Sequence, residues 1–276
     1  LRDAGISVPI VVMNPEIESF DDLIRHNLEP AIYNYRILDA FNEALKEENV
    51  KKYPIHLKID TGMRRLGFDK DDIENLIIRL QGYDNILLKS IFSHLVGTDD
   101  TQHDEYTRQQ FQRFQEMSSR IICEFPPPVM RHILNSNGID RFPEAQYDMV
   151  RLGIGLYGAI AENQDKIKNI STFKTRISQI KHVPNDQTIG YSRNGILERD
   201  SKIATLPVGY GDGFRRKLGN KLAKVFVNGE YAPVIGNICM DMCMIDITDI
   251  EAKEGDEVII FGEPVPAPTS MPIPPI

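Results

Sequence analysis

From residue 1 to about residue 160 the chain alternates two apolar rhythms. Short β-prone runs (Pro9 to Met13, Pro30 to Tyr35, Ile55 to Ile59, Leu87 to Ser93, Met130 to Asn135 and Val150 to Tyr157) are separated by longer, mixed stretches. In Ile37 to Glu48, Asp71 to Leu80 and Glu105 to Cys123, apolar residues recur every three to four positions. That spacing gathers them on one helix face. Asp71 or Asp72 is the expected N-cap of the second helix, and Thr101 or Asp104 that of the third. Strands that alternate with helices predict βα units and a parallel sheet. Six such strands, most ending in polar residues, suit part of a (β/α)8 barrel, whose chemistry collects at the C-terminal strand ends. Leu1 to Ile6 reads as the end of a helix closed by Gly5 before a strand.

Beyond Asn169 the rhythm changes to short alternating runs with turn signals between them. Thr172 to Ile180, Lys202 to Val208, Lys224 to Val227, Ala232 to Ile235, Met242 to Ile247 and Glu257 to Phe261 are the expected strands. Asn228-Gly229 marks a type I′ hairpin, because both residues tolerate positive φ. The pattern predicts a partial barrel over residues 1–165 and an antiparallel β-domain over 166–263. A tail over 264–276 has six prolines in thirteen residues, a composition suited to neither helix nor central strand. No internal repeat is present.

Composition narrows the partners. Of 276 residues, 41% are hydrophobic and 26% charged, as in a soluble globular protein. A net charge of -8 argues against a nucleic-acid or anionic-membrane surface. No run of about 18 apolar residues suggests a membrane span, and no signal-peptide pattern opens the chain. The three cysteines, Cys123, Cys239 and Cys243, form no C-x-x-C pair. Neither a disulfide framework nor a metal site is indicated, and a reducing cytoplasm is the expected location.

Five segments could carry chemistry. In Ile203 to Phe214 a β-prone run stops at Gly209, and Tyr210 stands between Gly209 and Gly211. A phenol in such a turn can donate or accept a proton if a neighbouring cation lowers its pKa; otherwise the segment is a loop with an exposed tyrosine. In His56 to Gly67, Lys58 and Asp60 share one strand face, which suits either an active-site mouth or a structural Lys–Asp pair with solvated arginines. His94 ends the fourth run, where it serves as a catalyst or as a hydrogen-bonded structural residue. Asn135-Ser-Asn-Gly138 is a turn whose small polar groups could cradle an anion. In Val150 to Gly158, Arg151 lies within an apolar run and requires acceptors, while Gly153 and Gly155 clear space beside it. The glycine spacing there is not a dinucleotide fingerprint. Asp241, in the sulfur-rich Ile238 to Met244, is either a core-strand residue or a site residue.

Taken in order, Lys58-Ile-Asp-Thr-Gly-Met, Arg65-Leu-Gly67, Asn135-Ser136, Arg151-Leu-Gly-Ile-Gly-Leu-Tyr-Gly158, Gly209-Tyr-Gly-Asp-Gly213 and Cys239-Met-Asp241 resemble alanine racemase, a fold-type III pyridoxal-phosphate family. The resemblance runs from about residue 1 to residue 262. It implies a TIM-like, pyridoxal-phosphate-binding α/β barrel, here without its first two βα units, followed by an antiparallel β-domain. It also implies interconversion of L- and D-alanine for peptidoglycan precursors, in a homodimer with composite active sites.

The same resemblance implies roles for single residues. Tyr210 would be the base on one face of the substrate, acting in the partner subunit's site, with His94 as its hydrogen-bond partner. Arg65 would lie near the cofactor phenolic oxygen and the substrate carboxylate, held by Lys58, which several family members carbamylate. Arg64 replaces a residue that is often glycine. Ser136, with the backbone of Gly153 and Ile154, would bind the cofactor phosphate, and Arg151 would face the pyridine nitrogen. Met240 and Asp241 would line the substrate end of the partner's site. The family's cofactor lysine lies in a Val-Lys-Ala-Asn-Ala-Tyr-Gly-like segment that residues 1–276 do not contain. The expectation is therefore that this stretch alone is inactive. A non-catalytic remnant or ligand-binding module, a racemase of another small amino acid such as serine, and a related decarboxylase are the alternatives.

Overall fold

The computed structural model describes residues 1–262, so the proline-rich tail expected over 264–276 lies outside the described residues. The chain divides into two compact units, one over Leu1–Lys166 and one from Ile167 onward.

Unit 1 alternates strand and helix: β1 (Ile10–Val12), α1 (Phe20–Arg25), β2 (Leu28–Ile32), α2 (Tyr35–Glu47), β3 (Tyr53–Lys58), α3 (Ile73–Gln81), β4 (Ile86–Phe92), α4 (Asp104–Ile122), β5 (Met130–His132) and α5 (Ser136–Arg141). The strands form one five-stranded parallel sheet in sequence order, as α/β-barrel strands do. Helix α2 shows why the chain folds this way. Its Ile37, Leu38, Phe41 and Leu45 are buried at three- and four-residue spacing. Phe41 meets Phe20 and Tyr53 edge-on at centroid distances of 5.0 and 5.5 Å.

Three local expectations need correction. Asp72 stands at the N-cap of α3 as expected but makes no side-chain cap bond to it, and His103, not Thr101 or Asp104, precedes α4, because each helix is entered through a 3-10 turn. Asp69 and Asp72 form a capping box around Lys70–Asp72, and Asp100 accepts from the Gln102 backbone ahead of Thr101–His103. Val150 to Tyr157 is not a sixth strand: Ile154–Tyr157 is a 3-10 turn closed by Gly158 at φ 78°. Three glycines in six residues remove the side chains that would hold a strand extended. The short helix α1 was not anticipated.

Unit 2 contains β6 (Phe173–Arg176), β7 (Gln179–Val183), β8 (Thr188–Ile189), β9 (Gly195–Ile196), β10 (Ser201–Leu206), β11 (Lys224–Val227), β12 (Glu230–Ile235), β13 (Cys243–Asp246) and β14 (Glu257–Phe261). Seven strands form an antiparallel sheet in the order β6-β14-β11-β12-β13-β10-β7, with β8 and β9 as a separate ribbon. The predicted single strand Thr172 to Ile180 is two strands at opposite ends of that order. Ile177 N donates to Asp256 O, and the next residue, Ser178, donates to Thr205 O. The chain thus steps from one terminal strand to the other within two residues, so the sheet edges meet there and leave less unpaired backbone. Asn228 and Gly229 have φ of 48° and 94°, as the type I′ hairpin requires. The core is apolar: Val225, Val227, Ala232, Val234, Ile245 and Val258 are fully buried. Among the described residues, no helix is long and apolar enough to cross a membrane.

Candidate active site

In unit 1 the predicted residues converge at the C-terminal ends of the strands. Lys58 ends β3 with 6% exposure, and its Nζ lies 5.9 Å from the centre of the Phe92 ring. No ion pair joins it to Asp60 among the described residues; Asp60 Oδ1 instead accepts from Gly62 N at 2.7 Å. The structural Lys–Asp pair is therefore not formed. Burial, then the positive charges of Arg65 and Arg151, holds the Lys58 amine below the usual lysine range, with Asp60 opposing. The same cations act on His94, which burial first and then Arg151, Arg65 and Lys58 push down to about 4. Lys58, Arg65, His94 and Arg151 are thus one electrostatic cluster.

Arg151 is its most constrained member. Nη1 donates to His132 Nδ1 at 2.7 Å and to His132 O at 3.3 Å. Nη2 donates to Ser93 O at 2.6 Å, to Ile133 O at 3.2 Å and to His94 Nδ1 at 3.5 Å. These acceptors are what an arginine inside an apolar run demands. Burial still lowers its pKa to about 10, leaving the guanidinium charged near neutrality. Among the described residues, Arg151 Nε makes no hydrogen bond, which leaves one N–H donor to spare.

The turn before α5 meets the loop after Arg151. Ser136 Oγ accepts from Gly153 N at 2.9 Å and from Gly155 N at 3.0 Å, so its own O–H remains free to donate. Ile154 N makes no hydrogen bond among the described residues. A Cβ on Gly155 would stand 2.7 Å from Leu152 Cδ1. The glycines thus permit a close approach that leaves a hydroxyl and a backbone N–H unspent. Both are donors of the kind an anion needs. A phosphorylated cofactor whose ring nitrogen accepts a hydrogen bond fits this donor set: Ser136 and Ile154 for the phosphate, and Arg151 Nε for the ring.

Unit 2 supplies a second cluster. Tyr210 opens the turn Tyr210–Asp212 after β10 and is 44% exposed. Tyr210 N donates to Cys239 O at 2.9 Å and Gly211 N to Met240 O at 2.8 Å. Asp212 Oδ2 accepts from Gly209 N at 3.0 Å, and Gly213 reverses the chain at φ 93°. A Cβ on Gly209 would fall 2.2 Å from Met240 O, so only glycine fits. Tyr210, Met240 and Asp241 are thereby pinned together, beside a cavity of about 870 Å³ that Tyr191, Thr205, Met240 and Asp241 help to line. Arg216 was not foreseen: its Cζ lies 5.7 Å from the Tyr210 ring centre. An arginine six residues beyond the tyrosine carries no local signal until the turn folds back. Cys243 is no nucleophile, because burial, with Cys239 adding, pushes its thiol up to about 12.

Fold and site define a two-unit α/β-plus-β protein with a phosphate-type cradle in one unit and a glycine-flanked tyrosine in the other. The N-terminal domain of alanine racemase matches residues 1–161, and its C-terminal domain matches residues 170–271. Alanine racemase 1 of Clostridium acetobutylicum is 39% identical over 271 residues, 95% of this chain and 69% of that protein. The alanine racemase structure from Clostridium difficile 630 superposes with a TM-score of 0.83 at 33% identity, covering 96% of this chain and 70% of that one. That from Bartonella henselae, with covalently bound pyridoxal phosphate, gives 0.80 at 28% identity, covering 95% and 72%. The chain belongs to the alanine racemase family.

Proposed function

We propose that this chain carries the tyrosine side of a pyridoxal-phosphate-dependent alanine racemase, working in the cytoplasm as a homodimer with composite sites and supplying D-alanine for peptidoglycan precursors. Pyridoxal phosphate, when bound, supplies the electron-withdrawing ring that makes the amino acid α-proton acidic. The Ser136 hydroxyl and the Ile154 N–H hold its phosphate, while Gly153, whose N–H is spent on Ser136 Oγ, contributes by clearing the approach. Arg151 donates to its ring nitrogen and, because a guanidinium does not readily give up its proton, leaves that nitrogen unprotonated. Tyr210 removes or returns the α-proton on one substrate face in the partner's site, with His94 as hydrogen-bond partner. Arg65 pairs with the substrate carboxylate, and Met240 and Asp241 close the substrate end.

Lys58 steadies Arg65 as a carbamate. Its depressed pKa supports this, since a neutral amine adds carbon dioxide, and the resulting anion would pair with the neighbouring arginines. Intact-mass measurement at neutral pH would then find an increment of one carbon dioxide that Lys58→Met removes. No lysine of residues 1–276 stands in a cofactor-lysine segment of the family type. These residues by themselves are therefore proposed not to racemise, and borohydride fixing of the cofactor to them would contradict that.

The observation that carries the reading is the backbone clamp that fixes the Tyr210 turn against Cys239 and Met240. In the full-length protein, Tyr210→Phe is expected to slow deuterium exchange into the α-position of L-alanine by about 10²–10⁴-fold. Unchanged exchange would refute the role. Equal turnover of serine and alanine by the unmutated protein would favour the broader small-amino-acid reading.

A further inference from the structure

Four buried side chains on neighbouring strands of unit 1 form a continuous line that ends on Arg151. Glu29 lies on β2, His56 on β3, Ser90 on β4 and His132 on β5. Their exposures are 7, 2, 0 and 3%. The register explains the alignment. His56 pairs with Ala31 on one side and Ser90 on the other, while Phe92 pairs with His132. Glu29 stands two residues before Ala31, and Phe92 two after Ser90, so strand alternation puts the four relay side chains on one sheet face. Lys58, two residues beyond His56, shares that face.

The links are short. Glu29 Oε2 lies 2.7 Å from His56 Nε2, and His56 Nδ1 lies 2.6 Å from Ser90 Oγ. Ser90 Oγ lies 3.1 Å from His132 Nε2, and His132 Nδ1 lies 2.7 Å from Arg151 Nη1. A guanidinium only donates and a carboxylate only accepts, so the two ends fix every proton between them. Arg151 donates to His132 Nδ1, which puts the His132 proton on Nε2 and aims it at Ser90. The Ser90 hydroxyl then donates to His56 Nδ1, and His56 Nε2–H donates to Glu29. Reversing the Ser90–His132 link would require His132 to accept at both ring nitrogens, which a neutral imidazole cannot do, and reversing the His56–Ser90 link would make His56 donate from both, which only the cation can. The imidazoles stay neutral: His132 is pushed down to about 3 by burial, then by Arg151 and His56. His56 is lowered by burial despite Glu29.

We infer that Glu29 is a positioning residue for Arg151, acting through a one-directional hydrogen-bond relay of His56, Ser90 and His132. The relay holds the guanidinium plane so that Nε stays free to point at the cofactor ring, a consequence that rests on the proposed function. Each of the four is buried and would lose its partner if one member were removed, so the relay acts as a unit. Phe92, stacked on His132 at 5.0 Å and 4°, keeps that imidazole from turning out of line.

The test needs neither cofactor nor substrate, so it can fail without touching the functional reading, and that reading can fail without touching the relay. With histidine 15N-labelled in the full chain, long-range 1H–15N correlation at neutral pH should find the proton of both His56 and His132 on Nε2. A proton on Nδ1 of either ring, or a cationic ring, would overturn the relay before any substitution is made. Glu29→Gln, which keeps the shape and one acceptor oxygen, should shift the ring-nitrogen signals of His132 three links away. Ser90→Ala should abolish the response of His132 to Glu29→Gln. A His132 signal that ignores both changes would show that the two halves are independent, and would sink the inference. In the cofactor-loaded full-length protein, Glu29→Gln should lower kcat while leaving KM within twofold. A rise in KM at unchanged kcat would contradict a role through Arg151.

Discussion

Unit 1 buries Glu29, His56, Lys58, Ser90, Ser93, His132 and Ser136, whereas in unit 2 Ser201 is the one buried polar residue among those described. The difference shows two ways of holding a reactive side chain. In unit 1, side chains orient side chains: Arg151 is fixed by three carbonyls and two imidazoles, and one imidazole is fixed in turn by a relay reaching β2. In unit 2 an apolar sheet supplies rigidity, and the backbone places Tyr210 through two main-chain hydrogen bonds to Cys239 and Met240. A preorganised polar network keeps donors aimed where charge develops. A backbone clamp leaves the phenol itself exposed.

The sharpest way to break this comparison is to remove the cation from unit 1. Arg151→Met strands the acceptors of Ser93, His132 and Ile133 inside the protein. The expected loss is about 4 kcal/mol, since breaking a buried, hydrogen-bonded charge leaves its partners desolvated and unpaired. Amide hydrogen exchange should report it in β3, β4 and β5. A loss below about 1 kcal/mol would mean that the network follows from the fold and does little to hold it.

The matching change in unit 2 attacks backbone instead. Gly209→Ala drives a methyl against Met240 O and Cys239 O, at 2.2 and 2.4 Å. Neither carbonyl can move without breaking its bond to Gly211 N or Tyr210 N. About 3 kcal/mol should be lost, the upper end of ordinary overpacking, with early exchange of the Tyr210 and Gly211 amides. Unchanged protection of those amides would show that the clamp is not what positions the tyrosine.

The two schemes differed in how far the amino-acid sequence could reveal them. The clamp was half legible, because Gly209, Gly211 and Gly213 around Tyr210 announce a turn, while its anchor thirty residues later does not. Arg151 announced a need for acceptors without saying which. The relay was invisible, since Glu29, His56, Ser90 and His132 sit on different strands and only the parallel register aligns them. Lys58 and Asp60 share parity, yet the turn at Gly62 takes the Asp60 carboxylate for its own backbone. Periodicity misread Val150 to Tyr157 for a related reason: an apolar run with two glycines, closed by a third at Gly158, has strand composition without strand geometry.

Acid separates the units by a smaller margin. His132 and His94 titrate at about 3 and about 4 in the folded chain, against 6.5 when unfolded. Between those values the unfolded chain binds more protons, so the stability they carry is fully present above about pH 6.5 and is lost as pH falls toward 4 and then 3. For His132 alone the loss at pH 5 is about 2 kcal/mol. Unit 2 has His182 as its sole histidine, and it is exposed. Exchange protection measured at pH 7 and pH 5 should therefore fall in β4 and β5 more than in β10 and β13. His132→Phe should flatten the unit 1 response, and an equal fall in both units would erase the distinction.

The smallest effect tests whether strain is stored beside the polar network. Arg64 adopts φ 56°, a left-handed conformation that costs a branched backbone about 1–2 kcal/mol and glycine almost nothing. Its Nη1 recovers part of that through Asp69 Oδ1 at 2.5 Å, a pair exposed enough to contribute at most about 1 kcal/mol. Arg64→Gly removes both terms and adds the unfolded-state entropy of a glycine, about 0.5–1 kcal/mol. The net change should lie within about 0.5 kcal/mol of zero, read as a shift in the urea midpoint. Asp69→Asn separates the contributions, because it removes the charge of the ion pair while keeping the strain and a capping oxygen; it should therefore destabilise more than Arg64→Gly. The reverse order would mean that the left-handed turn ahead of Arg65 is held by the arginine itself, and that this edge of the site, like Tyr210, is set by local backbone geometry.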